Sequence, residues 1–152
     1  MPLTLATWNV NSLKVRLPHL LDWLARTATD VVCLQETKLT DDKFPQAEVQ
    51  AAGYRSVFAG QRTYNGVAIL LREATTSAAR DVQINLPGFD DEQKRLLALT
   101  FDAAPADAIR VVCGYFPNGQ AVASDKYAYK LRWLAALTDW RRGELARHQT
   151  LA

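Results

Sequence analysis

Four polar residues stand where apolar, β-favouring runs give out: Asn9 after residues 3–8, Glu36 after 30–35, Tyr115 at the end of 109–115, and Asn118 just beyond it. A carboxylate at the mouth of a buried strand suits a hard divalent cation such as Mg2+, held together with water and a substrate phosphate. Asn9 adds a carbonyl oxygen and an amide donor that can orient Glu36 or join it at the metal, while Tyr115 and Asn118 offer neutral donors to a phosphate oxygen. If the three strand ends converge they form one polar site, as strand ends in layered α/β folds often do. Taken singly, each residue has a plainer account: Glu36 is a solvated strand end paired with Lys38, the asparagines are turn residues, and Tyr115 is core packing.

Other chemistries lack their residues. The sequence has no Gly-rich phosphate loop, no Ser/His/Asp set and no Cys/His cluster at metal spacing. His19 falls in a helical apolar pattern and His148 near a helix end, neither with a partner at catalytic spacing. Trp23, Trp133 and Trp140 recur at helical core spacing and Trp8 lies beside the first strand, so packing is the first expectation for all four indoles. Cys33 and Cys113 sit inside apolar runs, as small buried thiols do, and a reducing cytosol fits them better than a disulfide. Lys plus Arg number 18 against 16 Asp plus Glu, a net charge of +2. That balance is too small to bind a polyanion by bulk charge, so nucleic-acid binding has to be argued from a site.

The elements that must position these residues follow from apolar periodicity. Residues 3–8 predict a strand and Asn9-Val10-Asn11-Ser12 a turn and helix cap; Leu13, Leu17, Leu20, Leu21 and Leu24 then predict an amphipathic helix over 13–26, with Pro18 tolerable in its first turn. Residues 30–35 read as a strand covered on both faces. A short helix over 45–52 and strands over 54–59 and 67–71 follow, joined by a loop holding Tyr64-Asn65-Gly66. Strands are expected over 96–101 and 109–115, with 86–92 a loop and 103–107 a turn, and a long helix from Asp125 to about His148. With 152 residues, 49% of them hydrophobic, the chain suits one domain with a real core. The start has no basic segment leading into an apolar one, and no apolar run approaches membrane-spanning length, so the expectation is a cytoplasmic protein without membrane association.

Trp8-Asn9-Val10-Asn11-Ser12-Leu13, Leu34-Gln35-Glu36-Thr37-Lys38, Tyr64-Asn65-Gly66-Val67-Ala68 and Gly114-Tyr115-Phe116-Pro117-Asn118-Gly119 together resemble the exodeoxyribonuclease III / AP endonuclease branch of the endonuclease/exonuclease/phosphatase family. The resemblance runs from Leu3 onward. It implies metal-dependent hydrolysis of DNA phosphodiesters beside abasic sites and at 3′ ends, with double-stranded DNA as partner and Mg2+, or alternatively Mn2+, as cofactor. By the same resemblance Glu36 is the metal-binding carboxylate with Asn9 beside it, Tyr115 and Asn118 are active-site residues at the phosphate, and Arg95 and Lys126 contact the DNA backbone. Some relatives carry Gln where Asn118 stands, so a shorter or water-mediated contact is expected there.

The family pattern continues with a Gly-Asp-x-Asn block, a further aspartate and a Ser-Asp-His block, none of which occurs in residues 1–152. The expected fold is therefore half of a four-layer α/β sandwich, a mixed β-sheet with flanking helices lacking the carboxy-terminal half; residues 1–152 form the amino-terminal part of a single domain. Two expectations follow: negligible turnover, because those blocks supply the water-activating groups, and an exposed apolar sheet face prone to self-association. The alternatives are another hydrolase of the superfamily, acting on phosphoinositides, sphingomyelin or nucleotides, and a non-catalytic DNA-binding or self-associating fragment. Gly114-Tyr115-Phe116-Pro117 and Lys126 favour the DNA branch.

Overall fold

The computed structural model describes residues 2–152. In chain order the elements are β1 (Leu5–Asn9), α1 (Leu13–Thr27), β2 (Val31–Gln35), α2 (Gln46–Ala51), β3 (Tyr54–Ala59), β4 (Val67–Arg72), β5 (Arg80–Ile84), β6 (Leu96–Ala103), β7 (Ala106–Gly114), α3 (Asp125–Arg147) and β8 (Thr150–Leu151). They build two four-stranded sheets, ordered β1-β2-β4-β3 and β5-β6-β7-β8. Both are mixed: β1 runs parallel to β2 and β8 to β7, and the other pairs are antiparallel.

Alternation of side chains decides how the layers stack. Val31 and Cys33 of β2 and Val67, Ile69 and Leu71 of β4 meet Leu97, Leu99, Phe101, Ile109, Val111 and Cys113 of the second sheet in one buried cluster. The alternate residues Val32, Leu34, Ala68 and Leu70 turn the other way and pack on Leu13, Leu20 and Leu24 of α1 and Val49 of α2. Behind the second sheet, Leu96 and Ala98 pack on Trp133 of α3, with Leu134, Leu137 and Trp140 alongside. Helix, sheet, sheet and helix are therefore all present.

The expectation of a bare apolar sheet face, on which self-association was to rest, is corrected. Residues 2–152 contribute strands to both sheets, so each sheet's inner face is covered by the other and each outer face by helices. The exposed apolar residues of the strands lie on edges, at Leu5 of β1 and at Val82 and Ile84 of β5.

Two strands went unread in the sequence. β5 is polar and almost wholly exposed, and β8 is two residues long, so neither has an apolar period to detect. Pro18 lies beyond the first turn of α1. It is exposed, so the missing N–H bond falls on the solvent side and leaves the buried stripe of Leu13, Leu20 and Leu24 intact. Trp133 is buried as expected, whereas His19 is exposed. Among the described residues no helix is long and apolar enough to cross a membrane.

Candidate active site

The three strand ends converge. β1 and β2 are parallel neighbours in register Asn9 opposite Gln35, so their polar continuations emerge side by side. The Asn9 amide Nδ2 donates to Glu36 Oε1 at 2.9 Å, and Asn9 Oδ1 accepts the backbone N–H of Asn11 at 3.1 Å, which holds the amide in that orientation. Tyr115, arriving from β7 of the other sheet, brings its phenol near the Glu36 carboxylate, close enough for each to shift the other's protonation.

Backbone contacts hold Glu36 from two sides. Its carbonyl accepts Ser12 N–H at 2.8 Å and the Thr37 carbonyl accepts Leu13 N–H at 3.0 Å. Ser12 therefore makes no side-chain cap on α1; the first free amides of the helix are satisfied by the Glu36 turn instead. On the other side, Thr37 N–H donates to Gly66 O at 3.2 Å and Lys38 N–H to Asn65 O at 3.0 Å. Glu36 and Lys38 both take left-handed φ values, 55° and 56°. Non-glycine residues are held in that region only where their surroundings over-determine them, as these four bonds do. Gly66 is required here: at φ 89° a Cβ would sit 2.1 Å from Thr37 Oγ1. The Tyr64-Asn65-Gly66 loop is thus the buttress of Glu36, a role that spacing did not reveal.

The electrostatics favour an ionised Glu36. Partial burial pushes its carboxyl up, but the Asn9 amide that donates to it, the nearby Tyr115 phenol and the Lys38 ammonium bring it below the ordinary carboxylate value. Lys38 Nζ lies 3.2 Å from Glu36 Oε2 and also donates to Asn11 Oδ1 at 2.5 Å. Desolvation and the facing Glu36 charge raise the Tyr115 phenol, which stays a protonated donor at neutral pH. The plain account of Glu36 as a partner of Lys38 and the reading that joins it to Asn9 therefore hold together.

The remaining candidates stand further out. Arg95 stacks its guanidinium over the Tyr115 ring at 4.8 Å and near the Tyr129 ring at 5.8 Å. Its Nε donates to Gln93 Oε1 at 2.9 Å and its Nη1 to Tyr115 O at 3.3 Å, so it braces Tyr115 directly. Asn118 is exposed and its Oδ1 accepts Gln120 N–H at 2.9 Å, closing a turn. Lys126 is exposed in the first turn of α3, with no ion-pair partner among the described residues. Sequence reasoning missed Asn65, which is buried and directs Nδ2 to Gln61 and Gln93, and Tyr129, whose hydroxyl donates to Asp91 Oδ2 at 2.5 Å. The Asn65-Gly66 pair was a visible turn signal, but nothing local tied it to Glu36.

Glu36 and Asn9 offer one carboxylate and one amide oxygen. That set fits a hard cation that keeps most of its shell as water and substrate oxygen. Among the described residues no group of three His, Cys, Asp or Glu side chains could enclose a metal by itself.

Residues 6–151 match the Endonuclease/Exonuclease/phosphatase family, and the chain belongs to it. Within that family it is similar to exodeoxyribonuclease III of Haemophilus influenzae, 29% identical over 140 residues that make up 91% of this chain and 51% of the relative. The fold is close to that of a 3′-5′ exonuclease from Neisseria meningitidis, at TM-score 0.89 and 45% identity over 98% of this chain and 55% of that one. An AP endonuclease from Archaeoglobus fulgidus matches at TM-score 0.81 and 37% identity, over 91% of this chain and 51% of its own. The chain spans about half the length of the relatives it matches.

Proposed function

We propose that residues 1–152 form the Glu36-bearing part of a DNA-repair nuclease that hydrolyses phosphodiesters at abasic sites and 3′ ends, and that this chain alone turns over negligibly. The observation that carries the reading is the meeting of Asn9, Glu36 and Tyr115 from strands of two different sheets, in a chain whose relatives are exodeoxyribonucleases and AP endonucleases. A Neisseria relative with a similar fold is a 3′ phosphatase bound to a product DNA hairpin, which supports DNA 3′ ends as part of the substrate class.

In this reading Glu36 and Asn9 hold Mg2+ or Mn2+, which when bound supplies charge neutralisation at the scissile phosphate. Tyr115, kept protonated by Glu36 and braced by Arg95, donates its phenolic hydrogen to a phosphate oxygen. Asn118 donates an amide hydrogen to the neighbouring phosphate, and Lys126 with the remaining Nη2 of Arg95 adds salt-dependent backbone affinity without base preference. Lys38 neutralises Glu36 while no cation is present. What the residues at hand do not provide is a base for the attacking water, since Glu36 is committed to the cation. General acid-base help is commonly worth two to four orders of magnitude in rate, roughly, and the loss of cooperating groups is not restored by those that remain.

The test is Mg2+-dependent nicking of a duplex carrying one abasic site by the 152-residue chain, with Glu36→Ala purified identically. Equal background in both is the expected result; nicking that disappears in Glu36→Ala would overturn the inactivity. Mn2+ binding followed by electron paramagnetic resonance tests the assignment of Glu36 separately. A loss of about tenfold or more in affinity is expected in Glu36→Ala, and unchanged affinity would remove Glu36 from the metal site.

A further inference from the structure

The chain has two cysteines, and the fold brings them to one place. Cys33 lies on β2 of the first sheet and Cys113 on β7 of the second, both facing inward, 4% and 2% exposed, in the same buried cluster. Cys113 Sγ lies 3.4 Å from the carbonyl oxygen of Leu34, the residue after Cys33, and receives the Gln35 amide Nε2 at 3.3 Å. β2 and β7 also approach within 8 Å between Cα atoms, closer than the usual spacing of about 10 Å between stacked sheets. The plain account is a pair of small residues filling a narrow crossing. That account needs small side chains but not thiols on both sheets, and two inward-facing thiols in one buried cluster are the groups that a cross-link between the sheets would join.

We infer that Cys33 and Cys113 are an oxidisable pair, converted by a small peroxide into a disulfide that ties the two sheets together behind the candidate site. The Cys113 sulfur attacks one oxygen of hydrogen peroxide and becomes a sulfenic acid, and the other oxygen leaves as water with the thiol proton. The Cys33 sulfur then displaces that hydroxyl from Cys113; the S–S bond forms and a second water leaves with the Cys33 proton. Two thiols and one peroxide give one disulfide and two waters, the sulfurs losing the two electrons that the peroxide gains.

The assignment of roles follows from the surroundings. The Cys33 hydrogen bond holds the Cys113 thiol below its ordinary value against the opposing effect of burial, with the Gln35 amide helping. Giving that hydrogen bond, together with burial, pushes Cys33 well up. The Gln35 amide Nε2, which donates to Cys113 Sγ at 3.3 Å, favours Cys113 as the attacking sulfur and leaves Cys33 as the resolving one. Burial restricts the reaction to small oxidants or to moments of local opening. The cross-link would lie two residues from Tyr115 on one strand and three from Glu36 on the other, so its effect on the spacing of the site rests on the function proposed above; the pairing itself does not.

The experiment treats the native 152-residue protein with hydrogen peroxide, then denatures, alkylates and weighs it. The expected product is a monomer about 2 Da lighter than the reduced chain, refractory to alkylation and reversed by dithiothreitol. A non-reducing digest should give one peptide pair joining Cys33 to Cys113. In Cys33→Ser the reaction should stop at a sulfenic acid on Cys113 that dimedone traps. Two thiols still open to alkylation, separate oxygen additions at each cysteine, or disulfide-linked dimers would each overturn the inference. Should the variant fail to fold, the mass and digest of the unaltered protein decide the matter alone, and both are independent of any nuclease result.

Discussion

β2 carries a carboxylate beyond each end, Asp30 before Val31 and Glu36 after Gln35, and the two have opposite characters. Asp30 is 9% exposed and saturated by neutral, short-armed donors: Thr4 N–H at 2.8 Å, Thr4 Oγ1 at 2.7 Å and Thr75 Oγ1 at 2.6 Å, while its own N–H donates to Thr4 Oγ1 at 3.0 Å. Glu36 sits on a left-handed backbone, partly open to solvent, with an amide and a lysine as its nearest donors. Both carboxyls lie below their ordinary values, so the shift alone does not separate them. The donors do. The hydroxyls and backbone amide on Asp30 come from Thr4, just before β1, and Thr75, in the turn after β4, and are tied to the neighbouring strand ends. Glu36 is paired instead with a partly exposed, flexible Lys38 side chain that, in the function proposed above, would give way to a cation. One end of the strand is a structural clamp; the other, in the function proposed above, would exchange its lysine for a cation.

The largest effect should come from attacking the support of the Glu36 end. Gly66→Ala drives a Cβ into Thr37 Oγ1 and imposes a left-handed φ on alanine. The expected loss is about 3 kcal/mol in urea unfolding. A near-neutral Gly66→Ala would mean that the Glu36 turn is not held by this loop.

Next is Asp30→Ala, which strands three donors and should cost about 2–3 kcal/mol by the same measurement. If it were neutral, the clamp at this end would be decorative and the contrast with Glu36 would collapse.

Acid titration sharpens the comparison further. A carboxyl depressed in the folded state gives its full stabilisation above its unfolded value, about pH 4, and loses it as pH falls through the lower folded value. Thermal denaturation from pH 7 to pH 2 should therefore show the melting temperature falling below about pH 4. Asp30→Asn, less stable from the outset, should show a shallower decline; an unchanged slope would take Asp30 out of the acid response.

The smallest stability effect should be Glu36→Gln, under about 1 kcal/mol, because the Lys38 pair is partly solvated and the backbone bonds to the turn remain. A cost equal to that of Asp30→Ala would make Glu36 structural after all.

Much of this fold was legible in the sequence because burial imposes period. The nearly unbroken apolar runs in residues 31–35 and 67–71, which mark strands covered on both faces, and the heptad-like spacing of Leu13, Leu20 and Leu24 are local records of what each element packs against. The same logic failed at β5, whose residues face solvent, and at β8, which is too short to show a period. Glu36, Asn9 and Tyr115 were readable as polar strand ends, but their meeting was conditional on an order of strands that no local pattern encodes.

By itself the sequence determined the identity of the buried elements, the apolar face of each, and the motifs that place the chain in its family. Those are local properties, set by side-chain volume, polarity and backbone preference over a few residues. Tertiary structure alone decided that this length of chain furnishes two stacked sheets rather than one bare sheet. It likewise decided that Gly66 props up Glu36, that Arg95 braces Tyr115, and that Cys33 meets Cys113. Each joins residues remote in the chain, and such contacts exist only once long-range pairing has overcome the entropy of closing the intervening loops.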